Sequence, residues 1–175
     1  MDWNKLNMSL QVIKKVSNTS VSSLVISDIF SADYDDYLIQ QTVYDNASSA
    51  NDGTMRLLDS SGTVISASEY YYAGENTRTY NAFTETNGVG ATSFGYFGYQ
   101  DASTTTGVGL TMYVFKPYDS SLFTKCLWQG QVGGSGQARW YGGSHKVAET
   151  ITGIQFDTGA GTVNMDCIVY GIKGF

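Results

Sequence analysis

The sequence predicts an all-β fold, a jelly-roll-like β-sandwich of about ten short antiparallel strands. Three observations carry the prediction. No window keeps the 3.6-residue period of an amphipathic helix over a helical length. Short β-rich runs recur instead, bounded by Gly, Asn, Asp and Ser. The composition holds 20 Gly, 13 Tyr and one Pro, with only 15% charged residues, which suits strands and turns and disfavours a helical bundle.

The strands follow in order. Residues 10–16 (LQVIKKV) and 20–26 (SVSSLVI) flank a turn expected at Ser17-Asn18-Thr19. Residues 37–44 (YLIQQTVY) read as a strong strand, and 45–53 (DNASSANDG) as a polar loop. Residues 54–58 and 63–67 bracket the turn Ser60-Ser61-Gly62. From Tyr70-Tyr71-Tyr72 to about residue 93 the pattern is ambiguous, and no strand is assigned there. Strands resume at 94–99, 109–116, 123–130 and 137–142. Gly95 and Gly98, inside an aromatic run, mark bulges or close backbone approach. The last strands are 150–158 and 162–172. In the latter, Val163, Met165, Cys167 and Val169 alternate with Asn164, Asp166 and Ile168, the period of a strand with one buried face.

The length of 175 residues suits one domain, read as residues 10–175 with an N-terminal arm over 1–9. The first residues lack a basic segment followed by an apolar one, so Met1 reads as a start. A net charge of -6 with only 10 Lys and Arg argues against nucleic acid and against an anionic membrane surface as partners. Cys126 and Cys167 lie within apolar strand patterns and read as small buried core residues rather than a disulfide.

Catalysis needs a positioned acid, base or nucleophile. His145 is the only histidine, in the polar connection GGSHKVAET. It reads as a solvated loop residue, with no nucleophile motif nearby. Asp33, Asp35 and Asp36 form the densest acidic cluster. Their spacing is not that of an EF-hand, and they read as a turn exposing charge to water. The Gly-rich stretch 130–137 lacks the Lys-Ser/Thr of a phosphate loop and reads as a hairpin connection. No enzymatic activity, catalytic residue, metal or cofactor is therefore expected. Tyr70, Tyr71, Tyr72, Trp128, Trp140 and Tyr141 remain. They suit core packing, a protein interface or a sugar platform.

Two regions, Ile29–Ile39 near the N-terminus and Thr150–Gly174 at the C-terminal end, resemble a known group, the short jelly-roll virion proteins of tailed bacteriophages. Ile29-Phe30-Ser31-Ala32-Asp33-Tyr34-Asp35-Asp36-Tyr37-Leu38-Ile39 is similar to their turn-and-strand near the N-terminus. Thr150-Ile151-Thr152-Gly153-Ile154-Gln155-Phe156 resembles their "I-T-x-I-x-F" strand. Val169-Tyr170-Gly171-Ile172-Lys173-Gly174 resembles their closing "Y-G-I-K-G". Trp140 also falls where that group often has a Trp. Residues 68–108 match nothing in it.

The resemblance implies a β-sandwich virion structural protein, on the outer capsid surface or the tail. The expected function is capsid decoration, or cement, docking on the major capsid protein or another virion protein. A tail fibre or receptor-binding module recognising a host surface glycan is the alternative. If an oligomer forms, the trimer common at capsid three-fold sites is expected. Trp3 and Leu6 are the candidate anchors of the arm, and Trp140 and Tyr141 the candidate contacts of the domain. Removal of residues 1–9 is predicted to weaken binding to empty capsids, measured by co-sedimentation. Undiminished affinity would overturn the docking arm.

Overall fold

The computed structural model describes residues 9–44, 51–78, 81–95, 99–100, 107–132, 136–159 and 161–173. The strands are β1 (Ser9–Val21), β2 (Ser23–Ile26), β3 (Asp36–Tyr44), β4 (Asn51–Asp52), β5 (Thr54–Leu58), β6 (Tyr70–Arg78), β7 (Asn81–Ala91), β8 (Tyr99–Gln100), β9 (Val108–Phe115), β10 (Phe123–Val132), β11 (Gln137–Ala148), β12 (Gly153–Asp157) and β13 (Val163–Lys173). They form an all-β sandwich. An eight-stranded sheet runs β1-β13-β3-β9-β10-β11-β6-β7, a three-stranded sheet runs β2-β12-β5, and β4 pairs with β8. Every pairing is antiparallel.

Alternation decides which face is which. In β10, Thr124, Cys126 and Trp128 are buried while Lys125, Leu127 and Gln129 are exposed. In β13, Val163, Met165, Cys167 and Val169 are buried, as the pattern predicts. These inward residues meet Leu24, Ile26, Met55, Leu57, Ile154 and Phe156 of the smaller sheet in one core. Trp128 lies flat on Tyr141, with centroids 5.5 Å apart and planes 11° apart. Phe94 packs on Trp128 at 5.4 Å. Both cysteines are free and buried, and burial pushes each thiol up to about 12. The edge strand β1 carries Lys14 and Lys15, charges that discourage pairing with another sheet.

Several local expectations are corrected. Ser17-Asn18-Thr19 is not a turn, because β1 runs through it paired with β13 as far as Val21; partners across the ladder outweigh its local turn propensity. The ambiguous stretch from residue 70 becomes the β6–β7 pair. Residues 63–67 contribute one isolated bridge, Leu58 to Val64, rather than a strand. The turn before it stands: the Asp59 carboxylate accepts hydrogen bonds from the Ser61 and Thr63 amides, and Gly62 takes a φ of 78°. At Gly95 the close approach is real, since an added Cβ would lie 2.5 Å from the Tyr72 hydroxyl. Gly98, residues 1–8 with Trp3 and Leu6, and most of the polar loop 45–53 lie outside the described residues.

The two terminal stretches meet at one corner. The Ile29 and Phe30 amides both donate to the Thr152 carbonyl, at 3.0 and 3.2 Å. Tyr37 Oη donates to the Ser31 carbonyl at 2.9 Å and accepts from the Ser31 amide at 2.7 Å. The Tyr34 ring covers Gly171, where an added Cβ would sit 2.4 Å from the ring. Gly171→Ala is predicted to cost about 1–3 kcal/mol through overpacking. Gly109→Ala, on an exposed position with nothing within 4 Å of the added carbon, should stay within about 0.5 kcal/mol. Denaturant midpoints compare the two.

Candidate functional site: the open face of the large sheet

Residues of the eight-stranded sheet that point away from the core form the second face. Register places them in rows. Leu38, Tyr113, Leu127 and Gly142 stand side by side across β3, β9, β10 and β11. The next row is Gln40, Thr111, Gln129 and Trp140, and the third is Thr42, Gly109, Gln131 and Ala138. None of these residues carries a charge. Charges flank the three rows: Asp36 and Lys125 in the row beyond Leu38 and Leu127, Asp166 beside Thr42, Lys15 through Ile168 on one side, and the facing pair Glu75 and Glu85 on the other.

The apolar centre of this face is unusually exposed. Tyr113 is 39% accessible, Leu127 52% and Trp140 46%. Tyr113 and Leu127 are direct cross-strand partners. Trp140 faces Gln129, one step along from Leu127, within diagonal reach. Phe115 extends the strip by stacking on Tyr113, with centroids 6.3 Å apart and planes at 13°. Beside it lies an open groove of about 410 Å³, lined by Gln40, Thr42, Thr111, Gln129, Gln131 and Trp140. Its lining includes the amides of Gln40, Gln129 and Gln131, the hydroxyls of Thr42 and Thr111, the Trp140 indole and Arg139.

The two aromatic contact candidates part here. Trp140 lies on the open face, half exposed. Tyr141 does not: one residue along a strand reverses direction. Tyr141 is buried and donates to Asn76 Oδ1 at 2.8 Å, and burial raises its phenol. Trp128 and Tyr70 are core residues as well. Leu127 and Tyr113 were not picked out from sequence, although Leu127 gives a readable signal as an apolar residue in the polar phase of β10.

Among the polar candidates, His145 changes. His145 is no solvated loop histidine; it lies in β11 and is fully buried. It packs against Tyr70, with centroids 5.2 Å apart, and its Nε2 lies 3.0 Å from Glu69 Oε2. Its neighbours in sequence are too polar to suggest this, because the strand's inner phase there is made by Gly143 and His145. Asp33, Asp35 and Asp36 bind within their own corner. Asp33 accepts from Ser31 Oγ, Asp35 pairs with Lys116, and Asp36 accepts from the Lys116 amide. Among the described residues these three carboxylates do not gather as a ligand set.

No family model and no curated protein matches the chain. Among solved structures, the PL-14 alginate lyase of the marine Aplysia kurodai aligns over 99% of this chain and 89% of its own, at 8% identity and a TM-score of 0.38. Weak likeness extends to viral capsid structures. The infectious bursal disease virus VP2 subviral particle aligns over 97% of this chain and 42% of its own, at 13% identity and a TM-score of 0.15. The same virus in its Gt strain aligns over 95% and 42%, at 11% identity and 0.17. The expectation that this chain is not an enzyme is withdrawn, because the structure aligned along nearly its whole length is a lyase. At this TM-score the likeness brings no substrate or reaction to the chain.

Trp140→Ala is predicted to change stability by about 1 kcal/mol or less, because half of the ring already meets water. Tyr141→Ala should cost about 3–5 kcal/mol as a core truncation. Urea unfolding of both variants checks the assignment of faces.

Proposed function

We propose that this chain is a virion structural protein of a tailed bacteriophage that docks, through the open face of its large sheet, on the outer surface of the major capsid protein. The observation that carries the reading is the anatomy of that face. Half-exposed Tyr113, Leu127 and Trp140 form the centre, uncharged Gln and Thr lie along one side of them, and Asp36 and Lys125 flank Phe115 at the other end. Apolar and aromatic centres with few charges mark the buried middle of protein interfaces.

Size supports the same reading. Strands ~4.8 Å apart and rows ~6.8 Å apart give three rows across all eight strands, charged flanks included, about 700 Å², close to the ~800 Å² that each partner contributes to a standard interface. The net charge of -6 disfavours the DNA-facing side of a capsid. The resemblance of the terminal stretches to phage jelly-roll proteins supplies the partner class. One observation favours a tail receptor-binding module instead: the groove beside Trp140 offers amides, hydroxyls and an indole, a set that suits an uncharged glycan.

The test is co-sedimentation of the full chain with capsids lacking it. Leu127→Asp and Trp140→Ala, both at exposed positions, should each weaken binding at least tenfold while the far-ultraviolet dichroism stays that of the parent. Unchanged binding of both would overturn the docking face. Glycan-array binding lost in Trp140→Ala, with no capsid binding by the parent, would put the tail reading in its place.

A further inference from the structure

We propose that Glu69, His145 and Glu149 form a binding site for one divalent transition-metal ion, with Zn2+ as the defining probe. The site lies on the core side of the large sheet, apart from the open face. Sheet register brings it together: His145 pairs with Tyr70 across β11 and β6, so Glu69 comes beside the imidazole. The Lys146 amide donates to the Glu69 carbonyl at 2.9 Å and fixes that approach. Glu149 follows the end of β11 and returns to the same ring.

His145 Nε2 lies 3.0 Å from Glu69 Oε2 and 3.7 Å from Glu149 Oε1. One ligand atom from each of the three residues lies within 4.8 Å of the others. A tetrahedral ion with bonds of ~2.0–2.1 Å holds its ligand atoms about 3.3 Å apart, between the two measured separations. The imidazole is fully buried, whereas the carboxylate side chains are 34% and 32% accessible. The cluster is therefore anchored from inside and open to water on one side, which leaves room for a fourth ligand.

Charge balance points to an ion. Among the described residues no Lys or Arg pairs with Glu69 or Glu149. The neighbouring Lys146 ammonium sits over the Tyr71 ring at 3.9 Å. A neutral His145 has one proton to offer at Nε2 for two carboxylates, and an imidazolium still leaves one negative charge over. A divalent cation on a neutral imidazole balances both carboxylates. Histidine nitrogen with carboxylate oxygen suits zinc and its transition-metal neighbours better than calcium.

Such an ion ties the start of β6 to the end of β11. The experiment uses the full chain, stripped with a chelator and titrated calorimetrically with zinc chloride at neutral pH. One saturable site per chain is expected. At a free zinc concentration ~100-fold above Kd, the melting temperature should rise by about 5 °C or more. Glu69→Gln and Glu149→Gln, substitutions at partly exposed positions, should each weaken binding at least tenfold, and Glu85→Gln should leave it unchanged. Absence of one-to-one binding in the parent chain, or parent-like binding by both Gln variants, would overturn the site.

Discussion

The structure depends on the register that holds β9, β10 and β11 together. In β10, Trp128 points inward and lies on Tyr141 of β11, while Leu127 points outward beside Tyr113 of β9. A slip of one residue would exchange every inward side chain for an outward one. Trp128 would then leave the core and Leu127 would enter it. The stacked pair, walled by Phe94 and Tyr72, is bulky enough to make that exchange costly. It thereby fixes which residues the opposite face presents.

A second constraint closes the sandwich. The segment before β3 and the segment before β12 share one carbonyl, that of Thr152, as acceptor for two amides. Gly153 lies so close to the Ile26 carbonyl that an added Cβ would sit 2.4 Å away. The Tyr34 ring in turn lies on Gly171 of β13 and below the Lys173 ammonium, 5.4 Å from the ring centre. The stretches that resemble phage jelly-roll proteins are therefore residues of this corner. At this corner they close the fold, while Leu38, within the first of them, stands in a row of the open face.

The fold class was readable because long strands with one buried face write their period directly into sequence, as in β13. Trp140 and Tyr141 were singled out together for their aromatic character, which does not tell which phase faces the core; Trp140 proves exposed and Tyr141 buried. The region from residue 70 was not readable: Gly74, Gly88 and Gly90 break the apolar alternation, and β6 and β7 hold through pairing with β11 and each other. His145 illustrates a different limit. Its polar surroundings in sequence suggest a loop, but its partners Glu69 and Glu149 arrive through sheet register and through the chain's return, neither of which is local.

The face that results has an apolar centre, uncharged Gln and Thr along one side and charged flanks, on a chain of net charge -6. That arrangement suits a permanent contact within an assembly, where an exposed Leu127 and Trp140 would be covered. The most direct measurement of the proposed virion role is the copy number of this chain in purified phage particles, by quantitative mass spectrometry against the major capsid protein. The account predicts a ratio of order one to that protein. Absence of the chain from the particles would contradict it.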